Sequence, residues 1–148
     1  MHIVKCTEKY VGQLAAVFDD YRVFCGFERN LAETTEFLTK LIRNEESVIF
    51  VAMDSESDSV MGFVNLYPSY SSLALQRLWI LNDLGVSGAY RGKGVSKALI
   101  HKAQEFAKGT NAVRIELKTQ VSNTTARNLY KSLGFNIDTD NVYYRVPC

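Results

Sequence analysis

The stretch Leu84-Gly85-Val86-Ser87-Gly88-Ala89-Tyr90-Arg91-Gly92-Lys93-Gly94-Val95-Ser96-Lys97 reads as a strand that passes through a glycine-rich turn directly into a helix. That context makes its glycines informative. A helix N-terminus carries unpaired N–H groups and about half a positive charge, so it binds phosphate wherever the chain can approach closely. Gly92 and Gly94 remove the Cβ atoms that would block such an approach, and Arg91 and Lys93 either add positive charge at the rim or stand as solvated surface residues. A P-loop needs Gly, four residues, then Gly-Lys-Ser/Thr, and no window supplies it. A dinucleotide fingerprint needs a third glycine where Lys97 stands, which would drive a long side chain into the helix–sheet contact. The plain alternative is a glycine turn in front of an amphipathic helix.

Working outward, Val95, Leu99, Ala103 and Phe106 form a helical stripe that Gly109 is placed to close, and Ala112 to Thr119 predicts a strand. Asn123 can cap a further helix carrying Ala126, Leu129, Tyr130 and Leu133 before Gly134 stops it. Phe135 to Ile137 and Val142 to Val146 predict the last strands. Toward the N-terminus, Leu78 to Val86 is a strand, and Ser47 to Met53 and Val60 to Tyr67 form a hairpin across the polar turn Asp54 to Asp58. Asn30 with Glu33 three places on starts a helix through Phe37, Leu38, Leu41 and Ile42. Val11, Leu14, Ala15 and Phe18 lie on one face of the helix before it, which follows a short strand at Ile3 to Lys5. Helices interleaved with a mixed sheet and covering both of its faces make the fold class α/β or α+β.

A chain of 148 residues is the size of one domain, and a hydrophobic fraction of 47% with 22% charged residues suits a folded core. No linker-like composition divides residues 1–148, so a single domain is expected. The net charge of +1 excludes a broad field for nucleic-acid or membrane binding, and any anion site must be local. Cys6, Cys25 and Cys148 have no metal-ligand spacing and cannot all pair, which points to a reducing compartment, to buried or incidental thiols and to no metal. No stretch approaches the roughly 18 apolar residues of a membrane span and the N-terminus lacks the order of a secretory leader, so a cytoplasmic location is expected.

Arg91-Gly92-Lys93-Gly94-Val95-Ser96 resembles the Gln/Arg-x-x-Gly-x-Gly/Ala signature of the GCN5-related N-acetyltransferases (GNAT), preceded by the apolar strand end Asp83-Leu84-Gly85-Val86. The block Asn123-Thr124-Thr125-Ala126-Arg127-Asn128-Leu129-Tyr130-Lys131-Ser132-Leu133-Gly134-Phe135 is similar to the family's Asn-x-x-Ala-x-x-Leu-Tyr-x-x-x-Gly-Phe block. The two together span Trp79 to Phe135. Ser96 departs from the pattern, standing where the family has Gly or Ala, and its hydroxyl can donate to a phosphate oxygen or crowd it.

The resemblance implies a largely antiparallel central sheet with a splayed strand pair, acetyl-CoA as acyl donor, and a primary amine of a polyamine, amino-acid-like molecule or peptide as acceptor, attacking directly in a ternary complex. It implies pantetheine contacts at Leu84, Gly85 and Val86 and pyrophosphate contacts from Arg91 to Lys97 (Arg91, Gly92, Lys93, Gly94, Val95, Ser96, Lys97). Asn123 matches a cofactor contact and reads equally as a helix N-cap. Tyr130 matches the family's proton donor to the departing thiolate. Such a transfer is uphill by roughly 2 kcal/mol from a phenol near pKa 10 to a thiolate near 8.5. Tyr130 also reads as part of its helix's apolar face.

An ammonium must lose a proton before attack. Asp83 is the first candidate for that base or for anchoring the amine, and alternation places it opposite in facing to Asn82 and Leu84. Glu116 and water are alternatives, and His101 reads as surface. In the family, the first two helices, the loop between them (Tyr21 to Asn30) and the segment Pro68 to Leu75 wall the acceptor, which brings Tyr21, Phe24, Phe27, Tyr67 and Tyr70 toward it. Many relatives dimerise, and nothing in the sequence decides whether this chain forms a homodimer. A non-catalytic acyl-CoA-binding sensor is the alternative from another class.

Overall fold

The computed structural model describes residues 1–148. Its contacts gather into two compact units, Met1–Lys118 and Thr119–Cys148. The first holds a sheet of five strands in the order β1 (His2–Lys5), β2 (Val48–Met53), β3 (Val60–Ser71), β4 (Gln76–Val86) and β5 (Ile115–Glu116). The first four pair antiparallel in sequence order, and β5 runs parallel to β4. Helices α1 (Val11–Phe24), α2 (Leu31–Arg43) and α3 (Val95–Gly109) accompany it, and α4 (Thr124–Ser132) lies in the second unit.

The sheet is apolar on both faces because helices cover both. Ile49 to Met53 of β2 are all buried in succession, the pattern of a strand with no solvated side. On one face Phe18 of α1 stacks on Phe63 of β3 with ring centroids 4.8 Å apart, and Tyr21 meets Phe63 edge-on at 5.6 Å. On the other, Phe106 of α3 packs against Phe50 at 5.4 Å and Trp79 at 4.9 Å. The spacing-predicted stripe of α3 is the buried one: Val95, Leu99, Ile100, Ala103 and Ala107. Burial of each large aliphatic side chain there contributes about 1.5–3 kcal/mol.

Two irregularities shape β4. Leu66 pairs with Leu81 but Asn65 pairs with Asp83, so Asn82 is an extra residue, a β-bulge. Pairing with β5 is confined to Trp79↔Ile115 and Ile80↔Glu116, so from Leu81 onward β4 pairs with β3 alone. Its other edge is open there, which is the splay expected between these parallel strands.

Several expected boundaries move. The strand expected from Ala112 to Thr119 is only Ile115–Glu116, since β4 offers a parallel partner for just two residues. Gly109 does not close α3: it is the last helical residue, Thr110 follows as the cap, and Asn111 takes the left-handed conformation with φ 58°. The strands expected at Phe135–Ile137 and Val142–Val146 are absent. Between them Asp138 accepts from the Asp140 N–H at 2.8 Å and from Asn141 Nδ2 at 2.7 Å, a local turn that competes with extended pairing.

Candidate active site

The turn from β4 into α3 is built on left-handed glycines. After a single 3-10 turn at Gly88–Tyr90 and an extended Arg91, Gly92 has φ 73° and Gly94 has φ 78°. A Cβ added at either would meet nothing within 4 Å, so it is the left-handed backbone conformation that favours glycine here, while the surface above both residues is open. Gly94 is the N-cap of α3 and supplies no side-chain cap. The N–H groups of Val95, Ser96 and Lys97 precede the first intrahelical bond, from Ala98 N–H to the Gly94 carbonyl at 3.1 Å. The turn is moored from behind. The Tyr90 hydroxyl donates to Asp54 Oδ2 at 2.9 Å, and Ser87 N–H donates to the Met61 carbonyl at 2.9 Å. The Glu56 N–H first, and Tyr90 second, hold the Asp54 carboxyl below its ordinary range.

Upstream, the open edge of β4 has a definite parity. Trp79 N–H donates to the Arg114 carbonyl and the Arg77 carbonyl accepts from Val113 N–H, so residues 77 and 79 face the β5 side. Carried across the one-residue shift at Asn82, that alternation turns Leu84 and Val86 toward the open side. Gly85, between them, is a packing glycine: a Cβ there would lie 2.6 Å from the Phe63 ring and 3.3 Å from Tyr21 Cβ.

Beside the bulge lies a cleft of about 450 Å³ lined by Phe18, Tyr21, Arg22, Cys25, Phe27, Glu33, Thr34, Phe37, Tyr67, Asn82 and Asp83. Asp83 is half-buried in it and its carboxylate accepts three bonds: from the Tyr21 hydroxyl at 3.2 Å on Oδ1, and on Oδ2 from Asn65 Nδ2 at 2.8 Å and Asn82 Nδ2 at 3.1 Å. Burial, with the Asp83 charge, pushes the Tyr21 and Tyr67 phenols above their ordinary values, at Tyr67 against an opposing hydrogen bond from Asn65, so both stay protonated. Of the cleft's charged side chains, Arg22 is committed elsewhere, donating to Asp19 at 3.0 Å and to the Glu28 carbonyl at 3.0 Å. Asp83 and Glu33 remain, and the cleft is acidic and aromatic.

Asp19, fully buried, organises the wall between α1 and α2. Its carboxylate accepts from Asn30 N–H, the Thr34 hydroxyl at 3.0 Å and Arg22, with Arg29 Nη1 at 3.6 Å. Burial raises its carboxyl, but the bonds from Asn30, Arg22 and Thr34 outweigh burial and hold it below the ordinary range.

In the second unit, Asn123 caps α4, its side chain accepting from Ala126 N–H at 3.2 Å. Gly134 at φ 91° ends the helix, and the Phe135 N–H returns to the Tyr130 carbonyl at 3.0 Å. Phe135 meets the Tyr130 ring edge-on at 5.7 Å. Burial raises the Tyr130 phenol above its ordinary value, so it holds its proton more tightly than free tyrosine does.

Of the expected acceptor residues, Tyr21, Phe27, Tyr67 and Asp83 line the cleft, whereas Phe24 and Tyr70 do not. Phe24 lies off the α1 face that carries Phe18, Tyr21 and Cys25, and the Arg91 guanidinium stands 5.8 Å from its ring. Of the expected loop from Pro68 to Leu75 only residues 72–75 form a turn: β3 continues to Ser71 and β4 starts at Gln76. Tyr70 therefore follows strand alternation onto the face opposite Tyr67, where its hydroxyl accepts from Arg77 at 2.9 Å. The expected opposition of Asn82 and Asp83 also fails, because the bulge sends both to the cleft. Glu116 is held by Arg114 at 2.6 Å, and His101 is exposed. Cys6 is a buried thiol pushed up to about 12 by desolvation, while Cys25 and Cys148 are exposed. No group of three or more His, Cys, Asp or Glu is placed to hold a metal ion, and no helix is long and apolar enough to cross a membrane.

Asn65 and Asp19 escaped the sequence reading, although each carried a signal. Asn65 is the lone amide in the apolar run Val60 to Leu66, and Asp19 sits four residues after Ala15 on the apolar stripe of α1.

Residues 14–135 match the Acetyltransferase (GNAT) family model. The chain is 35% identical over 144 residues to the uncharacterized N-acetyltransferase YhfO of Bacillus subtilis (strain 168), covering 97% of this chain and 95% of that protein. It is 36% identical over 141 residues to a probable acetyltransferase of Haemophilus influenzae, covering 93% and 92% respectively. A crystal structure of a probable acetyltransferase superposes with a TM-score of 0.95 at 40% identity, over 100% of this chain and 98% of that one. With the left-handed glycine turn at the head of α3 and the opened β4 edge, these matches make the chain a member of the GNAT family, an acetyl-CoA-dependent N-acetyltransferase.

Proposed function

We propose that the enzyme acetylates the primary amine of a small molecule with an apolar or aromatic body, and that Asp83 anchors the amine. The observation that carries this reading is the placement of Asp83 in an aromatic cleft whose remaining charged groups are Glu33 and an already engaged Arg22. An ammonium suits such a lining by charge and by cation–π attraction to the rings, and a volume near 450 Å³ suits a small molecule. A peptide N-terminus is the competing acceptor. A non-catalytic acyl-CoA sensor finds no support, since the matched relatives are acetyltransferases.

The residues present fit acetyl-CoA. Uncapped N–H groups at Val95, Ser96 and Lys97, with open space over Gly92 and Gly94, suit a pyrophosphate, and Arg91 and Lys93 stand exposed beside them. The open edge at Leu84 to Val86 suits an amide-bearing arm. When bound, acetyl-CoA supplies the thioester carbonyl carbon for attack and a thiolate as leaving group. Asp83 selects and orients the ammonium, and the bulge brings Asn82 to the same cleft. Main-chain N–H groups near Leu84 to Val86 are the donors for charge developing on the carbonyl oxygen. Tyr130 holds a proton at its phenol oxygen for the leaving group, and Asn123 is assigned a cofactor contact alongside its capping role. An amine of pKa about 10 is roughly 10⁻³ neutral at pH 7, so the rate should rise with pH toward that value.

A panel of benzylamine, 1,4-diaminobutane, lysine and a free-N-terminus tripeptide, assayed by thiol release from acetyl-CoA, tests the acceptor. A small amine is expected to give the highest kcat/KM, and preference for the tripeptide would overturn that class. Asp83→Asn should lower acceptor kcat/KM by about 10- to 150-fold, the worth of one charged hydrogen bond. Unchanged kinetics would remove Asp83 from the anchor role.

Gly94→Val forces a β-branched residue into the left-handed region at roughly 1–3 kcal/mol of strain. It should raise the acetyl-CoA Kd about tenfold or more while the fold survives. Calorimetric titration showing unaltered affinity would move the phosphate site off this turn.

A further inference from the structure

We infer that Asn65 is a positioning residue: from beneath the β-bulge, and together with Tyr21, it fixes the orientation of the Asp83 carboxylate in the acceptor cleft. This rests on the reading of Asp83 as the amine anchor.

Three observations converge on Asn65. It is fully buried in a strand whose neighbours Phe63, Val64 and Leu66 are all apolar and fully buried. It is the register partner of Asp83, adjoining the point where Asn82 is inserted. Its Nδ2 donates to Asp83 Oδ2 at 2.8 Å, yet its Oδ1 is buried with no hydrogen-bond partner. A buried amide with an unmet acceptor is unfavourable, and its bond to the half-buried Asp83 carboxylate is what offsets that cost. Apolar packing alone therefore gives no reason for an amide at this place.

The clamp supplies one. A carboxylate on a free rotor samples many directions, whereas an anchor must hold the amine within a small angular range. Asn65 from β3 holds one Asp83 oxygen and Tyr21 from α1 holds the other, so two packed elements set the plane of the group. Tyr21 is itself fixed edge-on against Phe18 at 5.7 Å and Phe63 at 5.6 Å. The bulge is what brings Asp83 over Asn65: without the inserted Asn82, residue 82 would stand in its place opposite Asn65.

The test is steady-state kinetics and thermal unfolding of Asn65→Leu, Asp83→Asn and the double variant, using the best amine of the panel above. Asn65→Leu is expected to stay folded at the assay temperature, leave the KM for acetyl-CoA unchanged and lower acceptor kcat/KM about tenfold. In the Asp83→Asn background it should cost nothing further, because Asn65 acts through Asp83. Loss of acceptor kcat/KM that is equal in both backgrounds, or that is matched by a raised KM for acetyl-CoA, would overturn the inference in favour of a packing role. Wild-type kinetics for Asn65→Leu beside impaired Asp83→Asn would overturn it and leave the anchor reading standing. Wild-type kinetics for both would remove the anchor reading as well. Should Asn65→Leu fail to fold, Tyr21→Phe tests the other arm of the clamp. It keeps the ring contacts, and an unchanged acceptor kcat/KM would defeat the inference.

Discussion

Tyr130→Phe is expected to lower turnover by about 10²–10⁴-fold, the contribution of a positioned proton donor, while the acetyl-CoA Kd stays within experimental error. The phenylalanine keeps the ring that meets Phe135 edge-on, so the packing of the second unit should survive and only the proton is lost. The direction of the Tyr130 shift sharpens the expectation. Burial raises the phenol, which makes passing its proton to a thiolate harder in the free protein than for tyrosine in water. A donor role then requires the leaving group to present its negative charge beside the hydroxyl at the moment of release. Single-turnover thiol release compared between the two proteins checks this directly, and an equal rate would leave Tyr130 as a packing residue.

Asp19→Ala is expected to be the most damaging substitution for the fold, lowering the melting temperature by roughly ten degrees. It strips the acceptor from Arg22, Asn30 N–H and Thr34 in one step. The start of α2 and the Cys25 to Asn30 connection lose their common attachment, and these carry Phe27, Glu33 and Thr34 of the cleft wall. The pH dependence has a fixed sign. The Asp19 carboxyl is depressed in the folded chain, so its stabilisation is fully present above the unfolded aspartate value near 3.9. It is lost as pH falls through the lower, folded value. Acid unfolding of the wild type should therefore include a component below pH 4 that Asp19→Asn lacks. Identical acid limbs in circular dichroism would assign that sensitivity to other carboxylates.

The parts of this protein that depend on near neighbours were legible before any fold was known. A glycine two residues before Ser96, an apolar stripe at helical spacing, and Asn123 three residues before Ala126 all act within one or two turns of chain, and α3 and α4 begin where those signals place them. Asp83 was singled out as a candidate by its position ahead of Leu84. Its surroundings were not legible. The two amides on its carboxylate come from a strand eighteen residues earlier and from the adjacent Asn82, and the hydroxyl comes from a helix sixty-two residues earlier.

Tyr67 and Tyr70 show the same division at its simplest. Both are aromatic, both lie on β3, and the odd number of steps between them puts only Tyr67 in the cleft. Composition cannot separate them, but pairing of β3 with β4 can. Sequence by itself determined the glycine turn ahead of α3, the starts of α3 and α4 and the GNAT signature, because those rest on backbone conformation and hydrogen bonds between residues close along the chain. Only the tertiary structure decided that Asn82 is an inserted residue, that Asn65 lies beneath Asp83, and that Asp19 secures the cleft wall. A bulge and a buried polar contact are properties of register between distant segments, and no local spacing encodes register.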